Sequence, residues 1–199
     1  GSVGGVVQGS GPVFTDAVPI VVDPSTRRRR RGGAGGAVAD SSYGEIVSNV
    51  FIGDDFVAHN LEKLQSIGIT HVLCLSESGY YNAEPFPSQF TYKTWSVQDK
   101  AKFELYDLFD VIADYVLAIR KRDPSRNKVL VYCKSGVSLA PTAMIAYLMR
   151  EHQMTLDTAM SRVTTKWPKT KPNSGFMEQL NDFDLDMEDD AADAGILRV

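Results

Sequence analysis

Fourteen residues, Val129-Leu-Val-Tyr-Cys-Lys-Ser-Gly-Val-Ser-Leu-Ala-Pro-Thr142, restrict the fold more than any other stretch of the chain. Val129, Leu130 and Val131 form a short apolar run that predicts a buried strand. Pro141 falls where a helix opens and a missing N–H does no harm. Between them Cys133 starts a tight connection, and Gly136 lets it curl. A strand–loop–helix turn of this kind points backbone N–H groups into a concavity at the positive end of a helix. That is an anion cradle with a thiol at its floor.

On either side of the turn, strand and helix patterns alternate. Glu45-Ile-Val and Val50-Phe-Ile52 flank Ser48-Asn49 and predict a hairpin. Asp54-Asp55 predicts the cap of one helix that carries Val57, Leu61, Leu64 and Ile67 on a single face and ends at Gly68. Residues 69–75 read as a buried strand, and residues 90–97 alternate well enough to form another. Leu105, Leu108, Phe109, Ile112, Val116 and Ile119 recur at helical spacing. After the turn, Met144, Ile145, Leu148 and Met149 mark a buried helix. Leu156, Ala159, Met160 and Val163 mark a second one, capped by Thr155. Trp167-Pro168 and Lys171-Pro172-Asn173 predict a stiff connector. A last helix starts near Ser174 and fades into acidic residues. Strands interleaved with helices argue for an α/β fold with a central sheet covered on both faces.

A chain of 199 residues with 43% hydrophobic content can bury one substantial core with chain to spare. The surplus falls at the ends. Residues 1–43 are rich in Gly, Ser, Ala and Arg and read as a flexible tail, with the opening Gly-Ser a cloning remnant. Val18-Pro-Ile-Val-Val22 is the one apolar run in that tail able to dock on the domain. Residues 44–187 read as the folded domain and residues 188–199 as an acidic C-terminal tail. The net charge of −4 hides five consecutive arginines at positions 27–31 and an acidic run that begins at Asp182. The arginine block is basic enough to touch nucleic acid, but the folded part offers no matching basic face, so nucleic acid is set aside. No apolar run approaches the roughly 20 residues of a membrane span. Two cysteines, Cys74 and Cys133, suit a reducing compartment, cytoplasmic or nuclear. His59, His71 and His152 lack ligand spacing, so neither a metal site nor a cofactor is expected.

Tyr132-Cys133, the five residues Lys134 to Ser138, and Leu139-Ala140 resemble the signature loop of the dual-specificity protein phosphatases, within the Cys-dependent protein tyrosine phosphatase superfamily. The family's pattern is His-Cys-x5-Arg-Ser/Thr. Ile69-Thr-His-Val-Leu, Ala146-Tyr-Leu-Met149 and Pro172-Asn-Ser-Gly-Phe-Met-Glu-Gln-Leu180 are similar to further phrases of that family, in its order. The resemblance covers residues 42–187 and implies a central mixed, mainly parallel sheet with helices on both faces. In the family a thiolate attacks phosphorus, loop amides and an arginine hold the equatorial oxygens, and an Asp protonates the leaving oxygen. Carried onto this chain, Cys133 stands at the nucleophile position. Asp99, within Trp95-Ser-Val-Gln-Asp99, stands at the general-acid position. Lys134, Ser135, Gly136, Val137, Ser138 and Leu139 form the phosphate-binding loop, whose amides are expected to lower the Cys133 pKa.

Three departures decide what the resemblance implies. Leu139 replaces the arginine and brings neither donor nor charge. Tyr132 replaces the histidine that braces the loop, and Ala140 replaces the hydroxyl that assists breakdown of the phosphocysteine. Lys134 is the best candidate to restore the missing charge. The leading expectation is therefore a pseudophosphatase that binds a protein partner, phosphorylated or not, with an anion such as phosphate or sulfate able to occupy the loop. The alternative is a weakly active phosphatase that acts on phosphotyrosine or phosphothreonine through a Cys133 phosphocysteine, with Asp99 as general acid. Cys74 reads as core packing, or as a redox partner for Cys133. Lys166, Lys169 and Lys171 read as a solvated basic face, or as a rim that attracts phosphate. Tyr80, Tyr81, Phe86 and Phe90 stand between core packing and an aromatic recognition rim.

Overall fold

The computed structural model describes residues 42–80 and 82–199. The expected tail over residues 1–43, with its Val18–Val22 run and arginine block, lies outside the described residues up to position 41, as does Tyr81. Strand β1 (Tyr43–Val47) turns through Ser48-Asn49 into β2 (Val50–Gly53), antiparallel to it. Asn49 takes φ 66°, a left-handed conformation that Asn tolerates better than most residues. β2 then pairs in parallel with β5 (Val129–Tyr132), β5 with β3 (His71–Ser76), and β3 with β4 (Thr91–Ser96). The sheet order is β1-β2-β5-β3-β4, which sets the strand before the Cys133 turn at the centre.

Because side chains alternate along a strand, the sheet feeds two cores. Ile52, Leu73, Leu75, Val129, Val131 and Cys133 pack against α3 (Phe109–Arg122), α4 (Leu139–His152), α5 (Leu156–Lys166) and α6 (Ser174–Ala194). Phe51, Val72, Cys74, Leu130 and Tyr132 face Val57 and Leu64 on the other side. The mixed, mainly parallel sheet covered on both faces is as expected. No helix among the described residues is long and apolar enough to cross a membrane.

Two elements differ from the sequence-based expectation. The helix expected after Asp54 is two helices, α1 (Asp55–Ala58) and α2 (Leu61–Ile67). Asp54 caps the first by accepting from the Phe56 N–H, and Asn60 caps the second by accepting from the Lys63 N–H. An Asn side chain competes for backbone donors, so Asn60 restarts the helix within an otherwise continuous apolar face. The second difference lies at the other end. The expected domain boundary at residue 187 falls inside α6, which continues through the acidic run to Ala194. Phe176, Leu180, Phe183, Met187 and Ala191 are buried along one stripe, while the acids occupy the outer face. Beyond Gly195 the Val199 N–H bonds the Gln153 carbonyl, and the Thr155 N–H bonds the Val199 carbonyl. Arg198, its side chain 5% exposed, donates to the Asp184 carboxylate and the Met154 carbonyl. Residues 188–199 are therefore part of the fold rather than a tail.

The start of α6 abuts the loop that follows β4. A Cβ on Gly175 would lie 1.8 Å from the Ala101 carbonyl oxygen. Gln179 fixes the same loop, its Oε1 accepting from the Leu105 and Tyr106 N–H groups and its Nε2 donating to the Phe103 carbonyl. Gly175→Ala is expected to force helix and loop apart at a cost of about 1–3 kcal/mol. Urea unfolding measures this directly, and an unchanged midpoint would contradict the packing.

Candidate functional site

The turn after β5 is held from behind. Gly136 has φ 67°, and a Cβ there would lie 2.8 Å from Trp167 Cζ2 and 3.1 Å from both Asp54 Cβ and the Gly53 carbonyl oxygen. Only glycine fits that space in that conformation. The buried Trp167 indole N–H donates to the Gly136 carbonyl at 2.6 Å. The Lys171 N–H donates to the Val137 carbonyl (2.8 Å), and the Asp55 N–H to the Lys134 carbonyl (3.3 Å). Three loop carbonyls are thus tied to two other segments, the connector after α5 and the start of α1. On the concave side the Ala140 N–H donates to Cys133 Sγ at 3.4 Å, while the Gly136 N–H donates to the Cys133 carbonyl oxygen at 3.2 Å.

In front of the turn is a cavity of about 440 Å³. Cys133, Lys134, Ser135 and Leu139 line it from the turn, and Asp99 lines it from the loop after β4. The remaining expected loop residues face elsewhere. Gly136 packs on Trp167, the Val137 carbonyl meets Lys171, and Ser138 is buried with its hydroxyl donating to Asp99 Oδ1 at 2.7 Å. Asn173 Nδ2 donates to the same oxygen at 2.8 Å, while the Asn173 N–H donates to Ser138 Oγ at 3.1 Å. Asn173 is also the N-cap of α6. One polar cluster therefore ties Asp99, the turn and the last helix together. The sequence pattern does not mark Ser138 or Asn173 for this role. Their cap and loop chemistry is visible in it, but not the residue they meet.

The rest of the cavity wall comes from the segment after β3. Leu75 lies at its base, and Glu77 and Tyr80 lie on its rim. Tyr80 hydroxyl donates to Asp55, and His59 bridges Asp55 and the Asn82 carbonyl, so the rim is fastened to α1. Phe86 and Phe90 pack against the core beside Tyr92. Tyr132 is fully buried on the face of the sheet opposite Cys133, and its hydroxyl donates to the Ala83 carbonyl at 2.7 Å. It braces the rim segment rather than the turn. Cys74 shares that face and bonds Ser76, so the two free thiols belong to separate cores and do not form the redox pair. Lys169 reaches Asp54 and lies 4.8 Å from the centre of the Trp167 ring, behind the turn and outside the cavity.

Cys133 overturns one expectation. It is 2% exposed, and burial pushes its thiol pKa up. The amides of Ala140 and Gly136 oppose this, the Asp99 carboxylate adds to it, and the Ser138 amide opposes it again. The amide nest acts in the expected direction but loses to desolvation. Leu139, 5% exposed, shares the same apolar cluster and brings no positive charge to the sulfur.

Residues 50–185 match the family described as "Dual specificity phosphatase, catalytic domain". The chain belongs to the dual-specificity phosphatase family. Dual specificity protein phosphatase 1 of Arabidopsis thaliana is 34% identical over 143 residues, 72% of this chain and 69% of that protein. Dual specificity protein phosphatase 19 of Mus musculus is 34% identical over 154 residues, 77% of this chain and 67% of that protein. Among solved structures, the human tyrosine phosphatase-like serine/threonine/tyrosine-interacting protein superposes with a TM-score of 0.67 at 26% identity, over 73% of this chain and 97% of its own. A mouse putative dual specificity phosphatase complexed with zinc tungstate superposes with a TM-score of 0.68 at 27% identity, over 80% and 97%.

The raised Cys133 pKa has a measurable consequence for this dual-specificity phosphatase domain. In a Cys74→Ser background, alkylation by iodoacetamide is expected to stay slow at pH 7. Its rate should keep rising above about pH 8.5, where an ordinary exposed thiol begins to level off. Leu139→Arg should move the profile to lower pH by placing a cation beside the sulfur. A wild-type profile centred below pH 8 would show that the amides prevail over burial.

Proposed function

We propose that this domain is a pseudophosphatase, a dual-specificity phosphatase fold of impaired catalysis that binds a protein partner. The supporting observation is electrostatic. Cys133 and Asp99 line one cavity, yet among the described residues lining it the single cation is Lys134, which is exposed. In phosphoryl transfer a transition-state arginine is worth about 10³–10⁵ in rate, or about 4–7 kcal/mol. A lysine on a flexible stem lacks the planar fork that clamps two phosphoryl oxygens. A buried thiol with a raised pKa is also a poor nucleophile at neutral pH, because the thiolate is the attacking form. The human neighbour is itself named a phosphatase-like interacting protein, which favours a binding role for a fold of this shape. Both cysteines are free thiols, in keeping with an intracellular protein.

The second reading, a weakly active phosphatase, is favoured by one arrangement: Ser138 and Asn173 hold Asp99 at the cavity that contains Cys133. Hydrolysis of an aryl phosphate separates the two. Wild-type turnover is expected to match that of Cys133→Ser. Leu139→Arg is expected to raise turnover by about 10²-fold or more, short of the full worth of such an arginine because Ala140 and Tyr132 remain. Wild-type turnover that is robust and abolished by Cys133→Ser would establish the enzyme instead.

A further inference from the structure

We infer that the cavity over Cys133 receives the unphosphorylated side chain of a tyrosine, from a partner segment with basic residues beside it, and that phosphorylation of this tyrosine weakens the complex. The inference deepens the binding role proposed above and rests on it. It starts from the composition of the wall. The base is uncharged and largely apolar: Leu75, Leu139 and the Cys133 sulfur. The charges stand around it, with Glu77 and Asp99 against Lys134, so carboxylates outnumber ammonium groups. A phosphate dianion entering this cavity would exchange water for the amides of the turn, one flexible cation and two like charges, with no guanidinium to offset the loss. A phenol enters without that penalty.

The shape and the donors suit a phenol. About 440 Å³ lies within the range of roughly 300–1,000 Å³ typical of small-ligand pockets. Leu75 and Leu139 supply apolar contact for an aromatic ring, which a serine or threonine side chain would leave unfilled. Both Ser138 and Asn173 donate to Asp99 Oδ1, which orients the carboxylate so that Oδ2 can accept from a phenol hydroxyl. The rim cannot readily shift to suit a charged guest, because Tyr80 is fastened to Asp55 and the rim segment is held again by Tyr132. Glu77 is exposed at the mouth, where it meets the residues flanking the guest. Arginine or lysine there complements it.

Two synthetic peptides test this with the full chain: one with a tyrosine between two arginines, and the same peptide phosphorylated on tyrosine. Titration calorimetry is expected to show about five-fold or tighter binding of the unphosphorylated form, the factor that one like charge about 4 Å away produces in water. That peptide should also protect Cys133 from alkylation, which locates it in the cavity. Leu139→Arg should reverse the preference, and Glu77→Gln should narrow it, weakening the unphosphorylated peptide more than the phosphorylated one. Equal or tighter wild-type binding of the phosphopeptide would overturn the inference, as would failure of the unphosphorylated peptide to protect Cys133. Should Leu139→Arg fail to fold, the Glu77→Gln pair decides the charge argument, and an unchanged preference there would refute it. Failure of the tyrosine inference would leave the impaired catalysis standing, since turnover of an aryl phosphate is measured without either peptide.

Discussion

The indole of Trp167 pressing on Gly136 is the contact on which the site depends. It sets the curl of the turn from outside, through a hydrogen bond to a carbonyl and a van der Waals surface that only glycine can approach. The bonds from Asp55 and Lys171 to neighbouring carbonyls act in the same sense. Each hydrogen bond contributes about 0.5–1.5 kcal/mol net, but together they specify one conformation. None of them involves the side chain at position 139. The shape of the cradle is therefore independent of the charge that a phosphatase would keep inside it, and a leucine at that position leaves the backbone geometry standing.

That independence explains how Cys133 and Asp99 can sit at a common cavity while the electrostatics of the cavity are altered. A thiolate is stabilised by nearby positive charge and exposed donors, and is penalised by burial. Here the donors remain and the guanidinium does not, so desolvation prevails at the sulfur. Asp99, held by Ser138 and Asn173, then acts on the sulfur as one more negative neighbour. Its carboxylate and the burial of the turn both push the thiol pKa up, against the amides.

Much of the architecture is legible in local chemistry. The Ser48-Asn49 hairpin, the Thr155 cap, the Gly68 stop and the apolar run before Cys133 all depend on residues close in sequence. What is not legible depends on competition or on distance. Asn60 splits α1 from α2 because its side-chain oxygen prevails over helix continuity, a choice that apolar periodicity does not register. The acidic end of α6 looks like a tail from its charge, although Met187 and Ala191 continue the buried stripe. The direction of the Cys133 pKa requires the burial of the turn. Lys169 turning to Asp54, and Tyr132 bonding Ala83, are contacts between residues far apart in the chain.

Leu139 also has a role beyond the absence of an arginine. It is the first residue of α4 and lies in the same apolar cluster as Cys133, Leu75 and Val131. Full burial of a leucine side chain is worth about 1.5–3 kcal/mol, whereas a guanidinium in that position would carry a desolvation cost that only a bound anion relieves. An active-site arginine is thus a local strain that substrate binding discharges, and its replacement by leucine removes both the strain and the need for an anion. Functional sites commonly sacrifice stability for activity. At this turn a buried leucine stands where that desolvation cost would otherwise fall, packed in one apolar cluster with Cys133.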